Sequence, residues 1–166
     1  MKNLLRSVVI AVIVFAASHA NAQISAGAGV VFGSDINNIG FSLNGKYAFN
    51  ETWAAAPSFT FFLKKDNVSW SVLDLDANYQ ITTIDNVGGL YAIGGLNMTF
   101  WKVDFGKAFE DFFGSDATST GSDVGVNLGI GLDVPLSQQI MLAPEARYTF
   151  GGANFFRIGV KLLYAF

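Results

Sequence analysis

Residues 123–134 read DVGVNLGIGLDV. Val124, Val126, Leu128, Ile130, Leu132 and Val134 are aliphatic, and Asp123, Gly125, Asn127, Gly129, Gly131 and Asp133 between them are small or polar. Successive strand residues point to opposite faces, so the stretch is a strand with one fully apolar and one polar face. The same period of two recurs at 24–32, 40–49, 53–62, 73–81, 87–101, 140–150 and 155–166. That makes about eight segments, most near the ~9–11 residues a tilted strand needs to cross a bilayer. Segment 87–101, VGGLYAIGGLNMTFW, is ambiguous on its own. A weak repeat with WAAAPSFTF and IMLAPEARYTF sets its register. Leu90, Ala92, Gly94, Leu96, Met98 and Phe100 then share the apolar face, with Tyr91, Ile93 and Trp101 on the other.

Which face looks outward decides the class. A water-soluble barrel would hide the apolar set and show water a surface rich in Lys and Glu. Here the polar set is Gly, Ser, Asn and Thr with a few nearly balanced charges. Its acids are Asp74, Asp76, Asp123, Asp133 and Glu145, and its bases are Lys46, Arg147, Arg157 and Lys161. Such a set suits a narrow lumen, and the apolar faces suit lipid. In lipid no backbone group can stay unpaired, so the sheet must close. The expected fold is all-β, an eight-stranded antiparallel transmembrane up-and-down barrel. The short connections NET, TTIDN and PLSQQ alternate with GSDINNI, KKDN, the long stretch 102–121 and GGAN. Short turns on one side are the periplasmic habit of such barrels. Aromatics fall at both sets of segment ends, as interfacial girdles do: Phe49, Trp53, Tyr79, Tyr164 and Phe166 at one, Phe61, Trp101, Phe150 and Phe156 at the other. Two features depart from the pattern. Pro57 and Pro144 sit mid-segment and predict bulges or bends. Val68 and Trp70 fall on the lumen side, which predicts a bulge or a rise above the membrane there.

The first 22 residues read differently. Lys2 and Arg6 precede an apolar run from Val8 to Ala17, and Ala20-Asn21-Ala22 follows. This is the layout of a cleaved secretory signal, about half as apolar in length as a spanning helix. Cleavage after Ala22 leaves 23–166 as one barrel domain. It removes Lys2 and Arg6, taking the formal net charge from −3 to −5, and it removes His19, the single histidine. With no Cys in the chain, no disulfide, thiolate or imidazole chemistry remains for the mature domain. The acidic balance argues against nucleic-acid binding.

The signal, the eight alternating segments and the terminal RIGVKLLYAF resemble the small outer-membrane β-barrels, the OmpX type and the transmembrane domain of OmpA. The resemblance spans the whole domain. It implies a monomer in the bacterial outer membrane, porin-like in build, with outer-membrane lipid around it. It also implies that Arg157, Gly159, Leu162 and Tyr164, with Phe166 last, form the signal read by the barrel-assembly machinery.

Two readings of the lumen stay open. In the first, paired charges plug it: Glu145 with Arg147, Arg157 or Lys161, and Asp74 and Asp76 with Lys46 or another base. The second is a small passive channel lined by the same groups. Catalysis is not expected. Small-barrel deacylases, palmitoyltransferases and omptin proteases rely on histidine, and Asp74 with Asp76 lacks a nucleophile beside it. No cofactor or metal is expected either; Asp104, Glu110, Asp111 and Asp116 lack the spacing of a cation loop. The stretch 102–121 carries Phe105, Phe109, Phe112 and Phe113, the first three at helical spacing. Its expected roles are a headgroup-lying or mouth-covering helix, or contact with a surface partner.

Overall fold

The computed structural model describes residues 23–104 and 118–166. They form eight strands: β1 (Gln23–Gly33), β2 (Asn38–Ala48), β3 (Trp53–Phe62), β4 (Val68–Ile84), β5 (Gly88–Asp104), β6 (Thr118–Pro135), β7 (Ile140–Gly151) and β8 (Phe155–Ala165). Each pairs antiparallel with the next, and β1 pairs with β8 from Ser25↔Ala165 to Gly33↔Arg157, closing the barrel. The Phe166 N–H donates to the Ile24 carbonyl at 3.0 Å and carries the seam to the last residue. Closure removes every lateral edge over the shared height of the wall, which an apolar exterior demands.

That exterior is the aliphatic face of each strand. Leu43, Leu75, Leu96, Leu128, Ile130 and Ile158 all stand exposed on the outer wall, Leu128 at 56%. No soluble protein presents a continuous apolar belt of this kind to water. Phe49, Trp53, Tyr79, Tyr164 and Phe166 ring one end, where Trp53 packs on Tyr79 and Tyr164 on Phe166. Inside, the register expected for β5 holds: Tyr91, Ile93, Asn97 and Thr99 are buried, while Leu96, Met98 and Phe100 face out.

Connections at the turn end (49–52, 85–87, 136–139) are tight, as are three of the four at the opposite, loop end (34–37, 63–67, 152–154). Asp66 and Asn67 both have positive φ, 49° and 62°, as a two-residue primed hairpin turn requires. Lys65 and Val68 exchange both backbone hydrogen bonds across it. The asymmetry lies instead in strand length. Strands β4, β5 and β6 run 17, 17 and 18 residues. The other strands run 10 to 12.

The bulges expected from the sequence at the prolines and at Val68 and Trp70 are not found. Neither proline makes a bulge. At Pro57 the β2–β3 pairing lapses between Asn44↔Ser58 and Tyr47↔Ala55 and resumes in the same register. At Pro144 the β6–β7 pairing lapses between Gly131↔Glu145 and Val134↔Leu142, again without a shift. An antiparallel residue aims its N–H and C=O at one neighbour only. Losing the N–H therefore weakens one ladder, and Pro57↔Leu75 and Pro144↔Val160 persist on the other side. The register does shift between Gln80 and Thr82, near the turn end of β4. Nor is there a bulge at Val68 and Trp70, which pair in register with Val103 and Trp101. The other alternative holds in part: the β3–β4 pairing ends at Phe61↔Ser71, so Val68 and Trp70 lie on the length of β4 that rises past β3.

Candidate functional site

The lumen has three layers. At the loop end, Phe62, Val72 and Phe155 are buried against Val31, Ile36, Trp70 and Ala153. The sequence pattern did not announce this apolar layer; its one trace was the inward parity of Val68 and Trp70.

Below it lies a hydrogen-bonded ion cluster centred on Asp74, which is 0% exposed. The Arg157 guanidinium donates to both Asp74 oxygens, at 2.7 and 3.0 Å. Asn97 and Asn127 donate to Asp74 Oδ1 at 2.7 and 2.8 Å, and Ser58 Oγ to Oδ2 at 3.2 Å. Arg147 bridges the carboxylates, at 2.6 Å from Asp76 and 3.4 Å from Asp74, and also pairs with Glu145. Lys161 pairs with Glu145 as well. Asn127 spends its amide twice: Nδ2 donates to Asp74 and Asp76, while Oδ1 accepts from Thr149 and Arg157. A buried carboxylate offers about four lone-pair sites, and Asp74 fills them all with donors. The Arg157 guanidinium also stacks 5.0 Å from the Phe155 ring, joining this layer to the apolar one above. The cavity left beside the cluster is about 30 Å³, room for roughly one or two waters.

Glycines make the cluster possible. A Cβ on Gly129 would press on Arg147, and one on Gly131 would collide with the Tyr91 ring. The small residues of the β6 lumen face are the space into which long polar side chains from β5 and β7 lie down.

Toward the turn end the layer thins. Tyr91 donates to Glu145 at 2.7 Å, and its ring lies 5.1 Å beneath the Lys46 ammonium, which pairs with Asp133. Lys46 thus reaches β6 rather than Asp74 or Asp76. A cavity of about 220 Å³ opens above this floor, walled by Ser25, Asn50, Glu51, Asn78 and Gln80.

All the sequence-selected lumen charges make ion pairs within the barrel except Asp123, which makes none among the described residues. It sits on β6 opposite Thr99, at the level of the apolar layer, where no base is placed. Of the terminal residues, Arg157 belongs to the ion cluster, and Leu162, Tyr164 and Phe166 line the outer wall. Gly159 pairs with Val31 across the seam. Phe105, Phe109, Phe112, Phe113 and residues 1–22 lie outside the described residues.

No family model matches the chain, and no curated protein matches it. Solved structures do. A major outer membrane protein from Thermus thermophilus aligns over 89% of this chain and 100% of that one, with a TM-score of 0.68 at 13% identity. Neisserial surface protein A aligns over 87% and 97%, at 0.61 and 16%. Ail, the attachment invasion locus protein of Yersinia pestis, aligns over 87% and 97%, at 0.58 and 18%. At such identities the likeness is one of fold. An apolar outer wall, a charge-paired interior and a chain closed on itself after eight strands make this the fold of the small outer-membrane barrels.

Proposed function

We propose that the chain resides in the bacterial outer membrane as a sealed barrel whose task is contact at the cell surface. The observation that carries this is the sheet β4–β6, which rises above its neighbours at the loop end. The pairing of β6 with β7 begins at Gly125↔Gly151, whereas its pairing with β5 continues to Asp104↔Thr118. Among the described residues, the stretch 118–123 therefore has a strand on one side only. A sheet edge offers a row of backbone donors and acceptors to an extended segment of a partner. Its side chains, Thr118 to Asp123, include neither Lys nor Pro, the usual guards of such an edge. Placing Pro at 119 and, separately, at 120 removes a donor from each side of the strand in turn. At least one variant should lose surface adhesion about tenfold while keeping its heat-modifiable gel shift. Wild-type adhesion in both would break the proposal.

The sealed lumen is supported by the Asp74 cluster and the apolar layer stacked on it. Asp74 and Asp76 are engaged by Arg147, Arg157 and Asn127, which favours an architectural over an acid–base role. Planar-bilayer recording should show no steady single-channel conductance; reproducible steps would favour the channel reading instead. The terminal residues Arg157, Gly159, Leu162, Tyr164 and Phe166 serve, in this reading, as the signal for the barrel-assembly machinery. Phe166→Ala should lower the yield of assembled barrel more than its stability once folded, and a normal surface yield would count against the signal.

A further inference from the structure

The turn-end cavity is left over by everything above: it neither seals the lumen nor faces the protruding sheet. Its floor holds polar atoms with nothing to bond. Asn78 is 4% exposed, lines the cavity, and has neither its amide donor nor its acceptor partnered among the described residues. Asp133 keeps one oxygen for Lys46, while its other, buried oxygen has no partner. The two asparagines of the Asp74 layer do not behave this way. In the cluster below, Asn97 and Asn127 both use their amides. Buried polar groups are normally bonded, and one that is not calls for an explanation.

From this we infer that the turn-end cavity is a binding site for a neutral polyhydroxylated molecule the size of one sugar ring. Each hydroxyl both donates and accepts. An amide offering one free donor and one free acceptor, beside a free carboxylate oxygen, complements adjacent hydroxyls. Ser25, Asn50 and Gln80 add further polar groups around the wall. Lys46 is neutralised by Asp133, and Glu51 stands at the rim, so an anion gains nothing here. A cation gains little either, because Asp133 is neutralised in turn by Lys46. The volume of about 220 Å³ accommodates a single ring, below the ~300–1,000 Å³ of larger-ligand pockets. Asn50, Glu51 and Thr52 of the β2–β3 turn line its mouth, so the molecule enters from the turn end.

The test is an NMR titration of the isotope-labelled barrel in micelles with glucose and with maltotriose, which separates a free ring from the end of a chain. Saturable shifts with either sugar at Ser25, Lys46, Asn78 and Tyr91 are expected. Asn78→Leu should weaken binding at least tenfold with the gel shift intact, because its amide holds no other part of the chain. If that variant fails to fold, Ala48→Cys carrying a bulky maleimide fills the cavity from its wall and should abolish the shifts. The absence of native cysteines makes the labelling specific. No saturable shift with either sugar, shifts confined to the loop end, or binding that survives both Asn78→Leu and the maleimide would each overturn the site. None of these results bears on the β6 edge, so the two proposals fail separately.

Discussion

At the loop end the lumen is filled by Phe62, Val72 and Phe155, which need only shape to be satisfied. At the turn end it narrows onto Lys46, Asp133, Tyr91 and Asn78, each of which needs a partner of the right chemistry. The first end closes by exclusion and holds none of the unpartnered buried side-chain atoms found among the described residues. The second leaves an amide and a carboxylate oxygen unanswered around an open cavity. Between them the Asp74 layer does what neither end does, burying several charges and setting each against an opposite one. A barrel of this width can be stoppered without polar groups, so polar groups kept at one end have another use.

The largest effect should come from the middle layer that both ends frame. Asp74→Ala leaves Arg157 and Arg147 buried without their shared carboxylate and should cost about 3–5 kcal/mol. Urea unfolding in lipid vesicles checks it, and a loss under 1 kcal/mol would mean that the layer is not what holds the lumen. At the apolar end, Phe155→Ala should cost about 3 kcal/mol through the cavity it leaves. It should still give a non-conducting barrel, because the ion layer below is untouched; steady conductance in that variant would move the seal to the loop end. On the outer wall, Leu128→Arg places a charge in lipid and should cost roughly 2–3 kcal/mol by the same unfolding measurement. The smallest effect belongs to Lys64 and Asp104, paired at 3.1 Å but 51% and 40% exposed. Lys64→Ala should cost under about 1 kcal/mol, and a larger loss would show that the protruding sheet stabilises the wall below it.

Much of the fold could be read from single strands. The alternation in β6 assigns each of its residues to wall or lumen, because a strand's period is a local property. The weak repeat shared with WAAAPSFTF and IMLAPEARYTF is enough to put Tyr91 and Ile93 inside. Partnerships across the lumen were harder. That Lys46 meets Asp133, 87 residues away, follows from barrel closure and from the length of a side chain lying over Tyr91. No pattern in β2 encodes it. The apolar layer is not legible in the sequence because Phe62, Val72 and Phe155 come from three strands whose inward faces are otherwise largely polar or small. Singly these read as noise, and only the barrel stacks them at one height. The prolines misled for a related reason. Their effect depends on which neighbour their missing N–H would have faced, and a lone strand does not show it.

The ion layer and the Lys46 pair set Asp74, Asp76, Asp133 and Glu145 against Lys46, Arg147, Arg157 and Lys161. The formal charge of this network is zero. An electric field across the membrane does work on net charge, about 2.3 kcal/mol per elementary charge per 100 mV. On this network it finds none to move. The paired core is therefore indifferent to membrane voltage, and any voltage response of the protein must originate in Asp123, which stands outside the network, or in charges beyond the two rims.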